Sequence, residues 1–185
     1  MVDVADGVDF TVPKIHTASD RAASGRATFA WCMFETYGRG TMALTGGAKD
    51  VRMESKLYGG MLLLAGDNIM TNAVELSGGS LAVDAGTSNA LGNLTSNTNA
   101  RLTVGAGGSL SFASFTAGEG LQPKSILIDA PLEGNVIKFN ASLTDEERKF
   151  FRWKDGAAPM GVRRVDQDDG GYLHPHTGGL LFFVE

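Results

Sequence analysis

Six cations crowd one short stretch: Arg148, Lys149, Arg152, Lys154, Arg163 and Arg164. Guanidinium and ammonium groups at this density suit sulfate or carboxylate groups, so a sulfated or acidic glycan is the ligand class they point to. A solvated helix face is the commoner outcome for such charges. Arg148, Lys149, Arg152, Arg163 and Arg164 are taken forward as glycan or partner contacts. His174-Pro175-His176 puts two imidazoles on one side of an extended segment, but stable zinc sites want three or four ligands. Asp166-Gln167-Asp168-Asp169-Gly170 departs from a calcium loop, because Gly170 falls at a ligand position and no acid closes the twelfth. An acidic β-turn and exposed histidines are expected instead.

The chain carries no G-x-S-x-G, H-E-x-x-H or P-loop pattern. Polysaccharide lyases and glycosidases need acids, arginines or lysines clustered on one strand face, and Asp67, Glu75 and Asp84 are scattered. No catalytic, cofactor-binding or metal-ligating residue is assigned, and no cofactor is implied.

The elements that must carry these residues read as short strands. Gly78-Gly79-Ser80-Leu81-Ala82-Val83 and Gly107-Gly108-Ser109-Leu110-Ser111-Phe112 are two copies of a tight turn followed by alternating apolar residues. Turns recur at Gly46, Gly59, Gly78, Gly107 and Gly134, at uneven intervals. An uneven period of this kind fits a solenoid with variable loops, and short strands between turns also fit a β-sandwich. Asn89 to Asn99 supplies Asn, Ser and Thr able to hydrogen-bond from coil to coil.

Further along, Ser142 to Trp153 predicts a helix. Thr144 and Glu147 form a capping box, acids fill the first turn, and Gly156 ends it. Leu143, Phe150 and Trp153 then share a face able to cover the open end of a solenoid. A hairpin turning at Asp168-Asp169-Gly170-Gly171 follows. The closing run, Gly178 to Val184, is apolar on both faces and needs burial at home or against a second chain. Self-association through this last strand is therefore an expected mode of assembly.

With 185 residues, 43% hydrophobic and 20% charged, the chain can bury a core and is neither generally disordered nor a membrane protein. No run reaches the ~20 apolar residues of a membrane span. A net charge of −5 provides no global attraction for nucleic acid. Cys32 is the single cysteine, so no intrachain disulfide can form. Without a signal peptide at its start, the chain is expected to be an extracellular or cell-surface segment whose leader or upstream region lies outside it.

Leu57 to Leu64, Leu76 to Val83, Ala90-Leu91-Gly92-Asn93 and Ala100 to Leu110 resemble the repeats of bacterial autotransporter passenger domains. The likeness covers roughly residues 40 to 115. It implies a right-handed parallel β-helix on the cell surface, although the membrane barrel of that family is not recognisable here. The expected fold is all-β: a short parallel β-helix over residues 1–140 and a helix-plus-hairpin cap over 141–185, with a β-sandwich as the alternative. The expected function is a non-enzymatic structural or adhesive segment, the terminal part of a larger surface or secreted protein, with surface glycans or host proteins as partners. A carbohydrate-binding or carbohydrate-active domain is the alternative.

Overall fold

The computed structural model describes residues 9–12, 32–36, 39–45, 53–132, 134–154 and 162–176. In chain order the first strands are β1 (Asp9–Val12), β2 (Cys32–Thr36), β3 (Thr41–Leu44), β4 (Met53–Leu57), β5 (Met61–Leu64) and β6 (Val74–Leu76). They are followed by β7 (Ser80–Val83), β8 (Ser88–Ser96), β9 (Ala100–Val104), β10 (Ser109–Ala117), β11 (Ile126–Asp129) and β12 (Ile137–Phe139). A single helical turn, α1 (Asp145–Arg148), precedes β13 (Phe151–Lys154), β14 (Val162–Arg163), β15 (Val165–Gln167) and β16 (Leu173–Pro175).

Odd-numbered strands from β1 to β13 line up in one sheet and even-numbered strands from β2 to β12 in a second. Each circuit of the chain therefore lays one strand on each sheet. Every pairing in both ladders is parallel until β13 meets β14, which runs antiparallel. This is a parallel β-solenoid of about five turns. A sandwich built of antiparallel hairpins is not what the chain forms.

Register stacks like residues into columns. Met42, Leu62, Leu81, Leu102, Ile128 and Trp153 succeed one another up the first sheet. All six are buried, as is the shorter column Leu44, Leu64, Val83 and Val104. The second sheet answers with Leu91, Phe112 and Phe139, and with Val74, Leu94 and Phe115. Alternation explains why these residues face inward: in a strand every second side chain shares a face. Each fully buried Leu or Phe contributes about 1.5–3 kcal/mol of transfer free energy.

The two Gly-Gly-Ser turns do not occupy equivalent places. Gly78-Gly79 leads into β7 on the first sheet, whereas Gly107-Gly108 leads into β10 on the second. The same wording serves both because either corner needs a tight turn and then an apolar face. The true repeat is seen in Ser80 over Arg101 and Ser88 over Ser109.

β8 and β10 bend midway, where inward alternation skips a beat at Gly92-Asn93 and at Ala113-Ser114. Gly92 is required there by close approach. A Cβ on it would lie 2.9 Å from the backbone nitrogen of Ala73 on the preceding rung.

The expected helix from Ser142 to Trp153 shrinks to one turn. Its capping box forms, with Thr144 Oγ1 accepting from the Glu147 amide at 3.2 Å and Glu147 Oε2 accepting from the Thr144 amide at 2.8 Å. From Phe151 onward the backbone bonds to β11 instead. Phe-Arg-Trp-Lys alternates, and burying Phe151 and Trp153 in the ladder outweighs the weaker local preference for helix. Phe112, Phe115, Phe139, Phe150 and Phe151 meet in one cluster, with ring centroids 4.9 to 6.3 Å apart. Trp153 closes it, donating its indole N–H to the Ala130 carbonyl at 3.1 Å.

The β15–β16 hairpin covers this end, burying Val165 and Leu173. Gln167 fastens it. Its Oε1 accepts from the Leu143 amide at 2.7 Å, and its Nε2 donates to the carbonyls of Gly171 and Phe139 at 3.1 and 3.3 Å. Open backbone edges at the last rung are satisfied in this way.

Candidate functional site

Two surfaces gather polar groups: the ladder along the stack, and a groove between the last turn and the cap. Along the second sheet, Ser109 Oγ donates to Ser88 Oγ at 2.8 Å and Ser114 Oγ to Asn93 Oδ1 at 2.8 Å. Asn97 Nδ2 donates to Glu75 Oε1 at 2.7 Å and to Ser77 Oγ at 3.0 Å. The Asn- and Ser-rich segment thus bonds from rung to rung, in keeping with its composition. These groups satisfy one another.

The groove has a volume of about 400 Å³ and opens to solvent. One wall is the turn before β11 together with the end of α1, contributing Lys124, Arg148 and Lys149; the other is the hairpin, contributing Arg164, Asp166 and His176. Backbone bonds fix each wall. The Lys124 amide donates to the Lys149 carbonyl at 2.8 Å, and the His176 amide to the Arg164 carbonyl at 2.7 Å. Lys124 adopts φ +64°, a left-handed conformation that L-residues with a Cβ rarely take.

The charges within the groove are unevenly compensated. Arg148 pairs with Asp145, Lys149 with Glu146, and His176 Nδ1 lies 2.6 Å from Asp166 Oδ2. These carboxylates are exposed, and such pairs hold their partners weakly, by ~0–1 kcal/mol. Among the described residues no ion pair reaches Arg164 or Lys124.

Of the five residues expected as contacts, the fold gathers Arg148, Lys149 and Arg164 in the groove. Arg152 lies elsewhere, on β13 at the position following Leu127 up the ladder, with its Nε buried and unbonded. Arg163 is exposed on β14, in register with Trp153. Lys124 and His176 are the groove residues that residue type alone does not bring into the set. A lone lysine after Pro123 carries no signal until the turn is folded against α1.

The acidic segment is a turn, as expected. Gly171 N donates to the Asp168 carbonyl at 3.0 Å, and Tyr172 N donates to Asp168 Oδ1 at 2.8 Å. His174 Nε2 sits 2.9 Å from Asp168 Oδ2, and this hydrogen bond chiefly lowers the Asp168 carboxyl below its ordinary value of 3.8. The two histidines each sit against a different aspartate. Among the described residues no three His, Cys, Asp or Glu side chains converge as a metal site, and no helix is long and apolar enough to cross a membrane. The closing run from Gly178 lies outside the described residues, and with it the expected assembly strand.

Comparison with protein-family models, characterised proteins and solved structures gives no match for this chain. The class is defined by the fold itself: a parallel β-solenoid with a hairpin-capped end.

Proposed function

We propose that this chain is a non-enzymatic structural or adhesive segment of an extracellular or cell-surface bacterial protein, forming the terminal part of its solenoid. One observation carries this reading: two uninterrupted parallel ladders run up the stack and stop beneath a fitted cap. Rungs that contact only their neighbours add stability step by step and generate an extended regular face, which suits display at a surface. The resemblance of roughly residues 40 to 115 to autotransporter passenger repeats supports the same placement.

Protease treatment of intact cells, followed by detection of this segment with an antibody, tests the placement. Cleavage of the segment without lysis is expected; protection until the cells are broken would overturn it. Beads coated with the purified chain, scored for attachment to glycan-bearing surfaces, test adhesion. The groove at the cap favours a carbohydrate-binding role as the second reading, and release of reducing ends from a polysaccharide panel would turn that into a catalytic one.

A further inference from the structure

We infer that the groove between the β11 turn and the capping hairpin binds the sulfate or carboxylate groups of an acidic polysaccharide, with Lys124 and Arg164 as the principal contacts. This rests on the surface-segment reading for its biological setting, while the chemistry rests on the groove. The groove lining carries four cations, Lys124, Arg148, Lys149 and Arg164, against two carboxylates, Asp145 and Asp166, on a protein whose net charge is −5. Lys124 and Arg164 line the groove from different segments, neither with a carboxylate partner among the described residues, and the backbone of each segment is pinned by a bond of 2.7 to 2.8 Å. With the lining carboxylates Asp145 and Asp166 already engaged by Arg148 and His176, these two backbone-anchored cations leave a place for an oxyanion. Arg148 and Lys149 add two more donors by leaving exposed carboxylates, an exchange that costs little.

The shape selects the ligand class. A volume of about 400 Å³ falls within the range of ligand sites. An open cleft screens a single small anion, so affinity must come from several charged groups held on one backbone. Nucleic acid fits less well. Among the described residues, the groove lining contains no aromatic side chain beyond the His176 imidazole on which a base could stack. The exposed ring of Pro123 beside the cations offers a non-polar face to a sugar ring carrying charged substituents.

The test uses the purified full chain at low salt, with fluorescent heparin oligosaccharide as the sulfated probe, oligogalacturonate as the carboxylate-only probe, and a single-stranded oligonucleotide. Binding of at least one sugar probe is expected, weakening as salt rises. Arg164→Gln and Lys124→Ser should each weaken it about tenfold, the loss of one charge-assisted contact. Lys56→Ser removes one charge from β4, four strands from β12 in the second sheet and far from the groove, and should leave binding within about twofold. Retention of heparin alone assigns sulfate, and retention of oligogalacturonate assigns carboxylate as sufficient. A folded chain that holds neither sugar overturns the proposal. So does equal loss in Lys56→Ser, or preference for the oligonucleotide. Because binding is read on the isolated chain, its failure is separate from failure of the surface placement, which protease shaving reports.

Discussion

Asn89 holds the loop of the rung beneath it: its Oδ1 accepts from the Ile69 amide at 2.9 Å and its Nδ2 donates to the Gly66 carbonyl at 2.8 Å. It does so from an inward position, in the column continued by Leu110 and Ile137, and is only 2% exposed. By pattern alone a leucine belongs there. Asn89→Leu would nevertheless strand a buried N–H and a C=O, at about 1–3 kcal/mol for each buried group left unpaired. Urea unfolding should show a loss of that order, with the slope unchanged. A neutral or stabilising outcome would mean the loop can find other partners.

The Asp168–His174 contact has a defined pH signature. The folded carboxyl titrates below 3.8, held down first by its hydrogen bond to His174. A depressed carboxyl contributes stability above its unfolded value, and that contribution disappears as pH falls through the folded one. Following the Asp168 carboxyl by NMR, His174→Ala should move its titration upward toward 3.8. No upward movement would show that the backbone amides of Tyr172 and Gly170 set it instead.

Gln167 joins the cap to the last rung through Leu143, Phe139 and Gly171. Gln167→Ala should cost about 1–3 kcal/mol by leaving the Leu143 amide unpaired. The loss should be local, as solenoid rungs contact only their neighbours. Hydrogen exchange should quicken at Leu143 and along β15–β16 while β5, β7 and β9 keep their protection. Uniform quickening would show that cap and stack open as one unit.

How far the sequence reveals this arrangement depends on whether a feature is local. Strands at Leu62, Leu81, Leu102 and Leu110 are legible because period-two alternation is written in neighbouring residues. Thr144 and Glu147 announce a helix start, and the box forms. The stretch beyond it does not read as a strand, because only the ladder offered by β11 makes Phe151 and Trp153 more stable extended. The two Gly-Gly-Ser turns look equivalent because a turn records how the chain bends, not which sheet it enters. For the groove, Arg148, Lys149 and Arg164 stand out by charge density. Lys124 and His176 join them only through backbone bonds between segments distant in the chain, Lys124 to Lys149 and His176 to Arg164.

The aromatic cluster sets the stability of the terminal rungs. Phe139 stacks on Phe112 at 5.2 Å and meets Phe151 edge-on at 5.5 Å and Phe115 at 6.3 Å, with none of its surface exposed. In the first sheet the columns from β3 to β9 are filled by Leu, Met and Val. Here rings pack on rings, and smaller aliphatic residues cannot replace them without voids. Phe139→Ala should therefore destabilise the chain by about 3–5 kcal/mol, and Phe139→Leu by less, in proportion to the volume lost. Because β12 ends the second sheet and the Gly171 carbonyl accepts from its Phe139 amide at 2.9 Å, the alanine variant should also loosen the hairpin. Chemical denaturation of both variants, with hydrogen exchange at Leu173 as the local probe, checks the pair. If Phe139→Ala costs no more than Phe139→Leu, the cluster collapses onto the vacancy, and aromatic packing does not set the stability of the terminal rungs.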